Sequence, residues 1–196
     1  MKKIISILFI IVISFSNHLF AEDGNSIKRI SEGDKNAKIT IITYESLTCS
    51  HCADFHKNVY PDLKKDFIDK GLVKIEFRHF PLDIAAFNAS KIGQCNNDGN
   101  PEVLNILFSG QKEWARGNTP EEATEYLKKF LKDKGVKVNF EKCLNNKAIE
   151  DYVLKDRIEG MKKFEVNATP TIIINDKKFD KALNYKNLKK YLEKLI

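Results

Sequence analysis

Two cysteines, Cys49 and Cys52, stand at a point where a strand-like run gives way to a helix-like run. Residues 39–44 are rich in Ile and Thr, and residues 53–70 show helical periodicity. We therefore expect Cys49 at a helix N-terminus, where unpaired N–H groups and the helix dipole lower the pKa of a thiol. The pattern predicts a redox-active disulfide with an exposed attacking sulfur at Cys49 and a shielded resolving sulfur at Cys52.

Ser50 and His51 lie between these cysteines. The ring N–H of His51, or its charge when protonated, would stabilise a Cys49 thiolate. A disulfide whose reduced form is stabilised is a stronger oxidant, so the pair is expected to donate its disulfide. Two alternatives stay open here: the cysteines could be half of a zinc site, and His51 could be an ordinary surface residue of a helix.

The first 21 residues match a secretory signal peptide, which has a basic start, a short apolar run and a small residue at the cleavage site. Lys2 and Lys3 precede an apolar run over 4–15, and Ala21 is the expected last residue before cleavage. An uncleaved anchor is the alternative, but a spanning helix needs about 20 apolar residues. We expect an exported, periplasmic protein.

Composition narrows the classes of function. All four cysteines follow the signal peptide, which suggests disulfides in an oxidising compartment. The net charge is +6, but the lysines alternate with acidic residues, as on solvated helix faces, and no basic cluster contains aromatic residues. We expect one domain-sized unit after the signal peptide, a monomer, with no metal, cofactor or nucleic-acid partner.

The order of elements predicts a parallel βαβ unit around the two cysteines. The first helix should run over 50–70 with a kink or split at Pro61, and a strand should follow over 72–80. A short strand is expected earlier, over 27–30.

Beyond residue 82 the pattern is helical as far as residue 163. The predicted helices cover 84–95, 101–109, 121–134, 140–145 and 147–163. A strand over 171–174, a turn over 175–178 and a return strand from Phe179 should follow. The last helix is expected over 185–196, with its buried side formed by Leu188, Tyr191, Leu192 and Leu195.

Three segments together resemble the DsbA family of thiol–disulfide oxidoreductases in its alpha-proteobacterial style. They are residues 44–56 (YESLTCSHCADFH), 77–83 (FRHFPLD) and 166–171 (VNATPT). The resemblance implies a thioredoxin-like α/β fold with an inserted all-helical domain. Residues 22–82 and 164–196 would form the thioredoxin-like domain, and residues 83–163 the helical insertion.

The resemblance also assigns roles to two further pairs of residues. It implies that Pro170 is cis and lies against the cysteines, so that the backbone of Thr169 can pair with an extended substrate; the alternative is an ordinary trans proline. It implies a structural disulfide between Cys95 and Cys143, which by the chain-entropy estimate contributes at most about 4 kcal/mol. Two free buried thiols are the alternative.

The chain departs from the family at two positions. Many relatives have proline in place of Ser50 and a buried glutamate in place of Thr43, and threonine cannot accept a proton from the resolving cysteine. Glu45, on the same strand face, could take over this task, or it could be a solvent-facing residue at the strand end. We expect structural roles for His56 and His79.

These observations predict an exported oxidase that introduces disulfides into translocated proteins. The resemblance implies reduced exported proteins as substrates and a membrane oxidase of the DsbB type as the reoxidising partner. The alternatives are a reductase or isomerase of the same fold, a zinc-binding module that uses Cys49, Cys52 and a histidine, and a peptide-binding module without redox activity.

Overall fold

The computed structural model describes residues 26–196. The predicted signal peptide lies outside the described residues. Between residues 26 and 196, no helix is both long enough and apolar enough to cross a membrane.

A mixed five-stranded sheet forms the centre of the described chain, with strand order β1-β3-β2-β4-β5. β2 and β3 are parallel, and every other neighbouring pair is antiparallel. The predicted βαβ unit is therefore confirmed. The strands are β1 (Ser31–Glu32), β2 (Ile39–Glu45), β3 (Val73–His79), β4 (Thr171–Ile174) and β5 (Lys177–Lys178).

The helices account for most of the remaining chain. Pro61 lies in the second of two short helices, so the predicted split of the first helix is confirmed. The helices are α1 (Ser50–Asn58), α2 (Tyr60–Leu63), α3 (Ile84–Gln94), α4 (Glu102–Ser109), α5 (Gln111–Trp114), α6 (Pro120–Asp133), α7 (Phe140–Leu144), α8 (Lys147–Phe164) and α9 (Tyr185–Leu192), with a π-helical turn over Lys64–Ile68 after α2.

Six of these helices, α3 to α8, lie between β3 and β4 in the sequence, as the helical pattern predicts. Two of them begin after a side chain that caps the helix: Asp83 accepts from the backbone N–H of Ala86 at 2.7 Å, and Thr119 accepts from that of Glu122 at 3.2 Å. A disulfide joins Cys95, just after α3, to Cys143 in α7. The domain boundaries at residues 82–83 and 163–164 stay a prediction.

Both faces of the sheet are covered where β2 ends. Thr43, Tyr44 and Glu45 are all buried, although their side chains alternate between the two faces. α8 packs on β3, and a Cβ atom on Gly160 would lie 2.7 Å from Cε1 of Tyr44. The absence of a side chain at Gly160 thus lets α8 approach the sheet closely, which buries the strand end that leads to the cysteines.

Two strand predictions need correction. β1 lies at Ser31–Glu32 rather than over 27–30, because these two residues are the ones that pair with Glu76 and Ile75 of β3. The hairpin turn consists of Asn175 and Asp176 alone, with φ angles of 46° and 63°. Such a two-residue turn matches the strand twist, so the return strand β5 precedes Phe179.

Two helix predictions also differ from the structure. α9 ends at Leu192, so Leu195 is 41% exposed and does not belong to the buried side of that helix. The short helix α5 is absent from the predicted helices, because four residues are too few to show helical periodicity.

Candidate active site

α1 begins directly after Cys49, which occupies its N-cap position. The carbonyl oxygen of Cys49 accepts from the backbone N–H groups of Cys52 at 3.1 Å and Ala53 at 3.2 Å, which starts the helix. Cys49 is partly exposed and Cys52 is 0% exposed. Both are free thiols in this structure. The helix start therefore places one reachable and one shielded sulfur side by side, as predicted.

The pKa of Cys49 is lowered to about 5. The main cause is a hydrogen bond from the thiol of Cys52, which stabilises the thiolate. Thr169 and the backbone N–H groups of Cys52 and His51 lower the pKa further, while burial opposes them. Cys49 is thus a thiolate at neutral pH, the form in which a cysteine acts as nucleophile and leaving group.

The pKa of Cys52 shifts in the opposite direction. Burial raises its pKa strongly, and its hydrogen bond to Cys49 and the charge of Glu45 raise it further. Cys52 therefore holds its proton in the reduced protein. In chemical terms this asymmetry suits Cys49 to exchange with a substrate thiol, and it suits Cys52 to regain a proton when a disulfide between the two opens.

The segment before β4 meets the cysteines. The Thr169–Pro170 peptide bond is cis, and Sγ of Cys49 lies 3.3 Å from the carbonyl oxygen of Thr169. A groove of about 480 Å³ runs beside this contact, between α1, the Thr169–Pro170 segment and the start of α9. Its lining includes His51, Phe55 and Tyr185. The two sequence motifs thus form one site with space for a substrate segment.

Ser50 and His51 lie in the first turn of α1, with both side chains exposed. His51 acts on Cys49 through its backbone N–H, which is among the causes of the lowered pKa. The expected effect of the His51 ring on the thiolate stays a prediction.

Gln111 of α5 is a site residue that the sequence does not reveal. Its side chain is buried, and Nε2 donates to the carbonyl oxygens of Leu47 at 2.8 Å and Cys49 at 2.9 Å. The helical block, which consists of α3 to α8, therefore holds the loop that contains Cys49. A single glutamine in a helix too short for a periodic pattern offers no signal from which this contact could be predicted.

Glu45 and His56 both lie inside the protein, next to the site. Glu45 is 5% exposed, so its interpretation as a solvent-facing strand-end residue is wrong. Its Oε2 atom lies 2.9 Å from Nε2 of His56. Thr43 is also buried, and its hydroxyl has no hydrogen-bond partner within residues 26–196. His79 is buried, and its Nε2 atom lies 3.1 Å from the side-chain oxygen of Gln94.

The zinc interpretation needs at least three ligands in one cluster. Within the part of the chain that the structure describes, no group of three or more His, Cys, Asp or Glu side chains could hold a metal ion.

Comparisons with known proteins agree with this geometry. The sequence profile of the family described as Thioredoxin matches residues 25–194. The crystal structure of Wolbachia pipientis alpha-DsbA1 has a TM-score of 0.75 and 29% sequence identity, covering 85% of this chain and 90% of that chain. The predicted fold, thioredoxin-like with a helical insertion, is confirmed.

Curated relatives carry names from disulfide chemistry. Disulfide bond formation protein D of Bacillus subtilis is 27% identical over 175 residues, which is 83% of this chain and 74% of that protein. A Rickettsia conorii protein, provisionally named a protein-disulfide oxidoreductase, is 27% identical over 146 residues, 73% of this chain. The match spans only 52% of the rickettsial protein, about half its length. With a family profile that covers nearly all of the described residues, this chain belongs to the thioredoxin family and, within it, resembles DsbA.

Proposed function

We propose that this protein is an exported thiol:disulfide oxidoreductase that introduces disulfide bonds into translocated proteins. The observation that carries the proposal is the contrast between the two sulfurs. The pKa of the partly exposed Cys49 is about 5, whereas the pKa of the buried Cys52 is raised. A thiolate stabilised in this way favours the reduced form, which makes the disulfide a strong oxidant.

The exchange starts from the oxidised protein, with Cys49 and Cys52 joined. A substrate thiolate attacks Sγ of Cys49, the bond to Cys52 breaks, and Cys52 takes up a proton. A second substrate thiolate then attacks the substrate sulfur of the mixed disulfide, and Cys49 leaves as a thiolate. Two electrons pass from the substrate to the pair, and the substrate leaves with a disulfide.

The Thr169–Pro170 segment supports a role in substrate binding. The backbone of Thr169 already contacts Sγ of Cys49, and the groove beside it can take an extended peptide. Reduced, extended segments of exported proteins are therefore the proposed substrates. Ser50 and His51 would border the attacked sulfur, where their exposed side chains meet the substrate.

The proposed location and partner rest on the sequence. The predicted signal peptide at residues 1–21 would deliver the protein to the periplasm. The reduced pair must be reoxidised after each turnover, and we assign this step to a membrane oxidase of the DsbB type. The protein would work as a monomer.

The redox potential of the Cys49–Cys52 pair tests the oxidase role. Equilibration in glutathione buffers, with Cys95 and Cys143 left intact, should give a potential more oxidising than about −150 mV, near the reference value of about −120 mV for DsbA. A value near the thioredoxin reference of about −270 mV would overturn the proposal in favour of a reductase.

A substrate assay complements the potential. The oxidised protein should convert a peptide with two free cysteines to its disulfide form, one peptide per protein molecule. Cys49→Ser should abolish this reaction, because it removes the attacked sulfur but leaves the Cys95–Cys143 bridge in place. Faster reshuffling of wrongly paired disulfides than oxidation of the peptide would instead indicate an isomerase.

A further inference from the structure

The exposed apolar side chains of the described chain are concentrated in one region. Of the eight large apolar side chains that are exposed within residues 26–196, five lie on α8 or where the chain enters α3. These five are between 38% and 59% exposed: Leu82, Ile84, Leu154, Ile158 and Met161. We call the region that they form the α3–α8 surface. Exposed apolar side chains that cluster in this way mark a site of interaction.

α8 contributes three of the five side chains as a stripe. Leu154, Ile158 and Met161 follow one another at intervals of four and three residues, so they lie along one side of the helix. The buried residues of α8 occupy a different side, which packs on the sheet. They are Ile149, Val153, Asp156, Gly160 and Phe164. The helix therefore has a second apolar side that the described fold does not cover.

α3 lies beside α8 and runs in the opposite direction. Phe80, just before α3, lies under Arg157, whose guanidinium carbon is 5.1 Å from the centre of the ring. Further along α3, Nζ of Lys91 lies 3.4 Å from Oε2 of Glu150. The chain thus moves from a late residue of α8 to an earlier one as it passes along α3.

The same contacts show which sides of the two helices meet. Ile84 precedes Lys91 by two helical turns, so both lie on the side of α3 that faces α8. Leu154 and Met161 are four and eleven residues beyond Glu150, so they lie on the side of α8 that faces α3. The exposed side chains of the two helices therefore border one continuous surface.

The charges on α8 are unequally neutralised. All four acidic residues of this helix form ion pairs, whereas three of its basic residues, Lys155, Arg157 and Lys162, form none with any residue among 26–196. The pairs of the acidic residues are Glu150 with Lys147, Asp151 with Lys147, Asp156 with Arg29, and Glu159 with Arg78. The helix thus offers positive charge that a partner can neutralise.

The unpaired basic residues border the apolar stripe on both of its sides. Lys155 and Lys162 are three and four residues from Ile158, on the side away from α3, and Arg157 is four residues before Met161, on the side towards α3. Apolar side chains between lysines and arginines are typical of a surface that lies at the headgroup boundary of an anionic bilayer. The charge and the apolar side chains therefore complement the same partner.

We propose that the α3–α8 surface binds to the surface of a membrane that contains anionic lipids. Leu154, Ile158 and Met161 enter the boundary between headgroups and acyl chains, where burial of their apolar area stabilises the bound state. The ammonium and guanidinium groups of Lys155, Lys162 and Arg157 contact lipid phosphates. This inference goes beyond the proposed oxidase activity and does not depend on it.

A second copy of the chain fits this surface less well than a bilayer does. Two copies that met through the α3–α8 surface would bring the unpaired side chains of Lys155, Arg157 and Lys162 close to their own counterparts. Like charges placed together across an interface oppose association. An anionic lipid surface instead neutralises these charges while it covers the apolar stripe.

The α3–α8 surface ends beside the cysteines. The backbone N–H of Leu82 donates to Oγ of Ser46 at 3.3 Å, three residues before Cys49. At the other end, α8 stops at Phe164, five residues before Thr169, whose carbonyl oxygen is 3.3 Å from Sγ of Cys49. A protein bound through this surface therefore holds Cys49 close to the membrane.

Sedimentation with lipid vesicles tests this proposal. The full chain is expressed with its predicted signal peptide and isolated after export. It is mixed with vesicles of phosphatidylglycerol and phosphatidylcholine in equal parts, or of phosphatidylcholine alone. The wild-type protein should bind the anionic vesicles about tenfold more tightly or better, because each basic side chain near the surface adds attraction. Binding should weaken as salt rises, since salt screens these charges.

A triple variant tests the apolar stripe. Leu154→Gln, Ile158→Gln and Met161→Gln together should lower the affinity for anionic vesicles about tenfold or more, because they remove the apolar area that enters the bilayer. All three side chains are exposed, so the fold should be retained. Tyr126→Gln is the control, since Tyr126 is exposed on α6, outside the α3–α8 surface, and should bind like wild type.

A double variant tests the charges. Lys155→Gln with Lys162→Gln should lower the affinity for anionic vesicles about tenfold and reduce its dependence on salt. Lys128→Gln with Lys132→Gln is the matched control, because it removes two exposed lysines from α6 instead. Equal losses in the two double variants would show that net charge alone drives binding and would overturn the assignment to α8.

Tryptophan fluorescence separates insertion from adsorption by charge. Ile158→Trp places an indole in the stripe, and Tyr126→Trp places one on α6 as a control. The natural Trp114 is 0% exposed, so it gives the same background in both variants. Anionic vesicles with brominated acyl chains should quench the indole at position 158 and leave the one at position 126 unchanged. Equal quenching in both variants would contradict insertion through α8.

The remaining outcomes decide between occupants of the surface. A wild-type protein that does not sediment with anionic vesicles, or a triple variant that binds as wild type does, would overturn the proposal. A wild-type dimer in analytical ultracentrifugation that the triple variant dissociates would assign the surface to a second copy instead.

Activity in solution separates this inference from the proposed function. The triple variant should oxidise a dithiol peptide in solution at the wild-type rate, because the stripe lies outside the contact of Cys49 with Thr169. A variant that had lost this reaction would place the stripe in the redox site and overturn its assignment to the membrane. Failure of the wild-type protein to oxidise the peptide would overturn the proposed function and leave the vesicle result standing.

Discussion

At the scale of single residues, the environment gives two chemically identical side chains pKa values that are shifted in opposite directions. Cys49 stands at the N-cap of α1, where hydrogen bonds from Cys52 and from backbone N–H groups stabilise its thiolate. Cys52 lies within the first turn, where burial favours its neutral thiol. Because the thiol of Cys52 donates to the sulfur of Cys49, each residue helps to shift the pKa of the other.

This dependence predicts a difference between two substitutions of Cys52. Cys52→Ala removes the donor and should raise the pKa of Cys49 by about one unit or more. Cys52→Ser keeps a donor of similar size, so the pKa should stay closer to about 5. The rate of alkylation of Cys49 against pH gives the pKa, since the thiolate is the reacting form and the rate falls as pH drops through that value. Identical titrations for both variants would contradict the assigned hydrogen bond.

At the scale of elements, α5 connects the helical block to the cysteines. Gln111 donates to the carbonyl oxygens of Leu47 and Cys49, on the loop between β2 and α1. The loop belongs to the βαβ unit, whereas the donor comes from a helix 62 residues further along the chain. The position of Cys49 therefore depends on how the helical block packs.

Gln111→Ala is expected to destabilise the protein by about 1–3 kcal/mol, because it leaves the buried carbonyl group of Leu47 without its donor. Urea denaturation measures this change. Lys112→Ala is the matched control, since Lys112 is exposed in the same short helix and should change stability by less than about 0.5 kcal/mol. Equal stability of the two variants would show that the Gln111 contacts do not hold the loop.

At the scale of the whole molecule, Asp156 joins three separate parts of the chain. It lies in α8 and is 1% exposed. Its carboxylate accepts from Arg29 at 2.6 Å and from the backbone N–H of His79 at 3.1 Å, and lies 3.5 Å from Arg78. The segment before β1, the end of β3 and the helical block are thereby held together.

Asp156→Ala should therefore destabilise the protein by about 3 kcal/mol, the lower end for a broken buried ion pair, since Arg29 remains partly exposed to water. Asp151→Ala on the same helix removes an exposed ion pair with Lys147 and should cost less than about 1 kcal/mol. Thermal or urea unfolding of both variants measures the two losses of stability, so that they can be compared. A small effect at both positions would mean that Asp156 does not link these parts.

The predictions from sequence succeeded where the deciding interactions are local. α6 starts at Pro120 after the capping residue Thr119, and both residues are neighbours in the sequence. β1, the return strand and α5 were predicted wrongly or not at all. β1 depends on its pairing with the distant strand β3, whereas the return strand and α5 are too short to show a periodic pattern.

The sequence by itself determined the order of strand, cysteine pair and helix, and the two motifs that meet at the site. Periodicity, capping and turn preferences act over a few residues, so they can be read from the chain. Only the tertiary structure decided three contacts. Cys49 meets Thr169, which is 120 residues away, Gln111 donates a hydrogen bond to the carbonyl oxygen of Cys49, and Glu45 pairs with His56 in the interior. The physical reason is that the pKa of a sulfur or carboxyl group depends on burial and on hydrogen-bond partners, and folding brings these from distant parts of the chain.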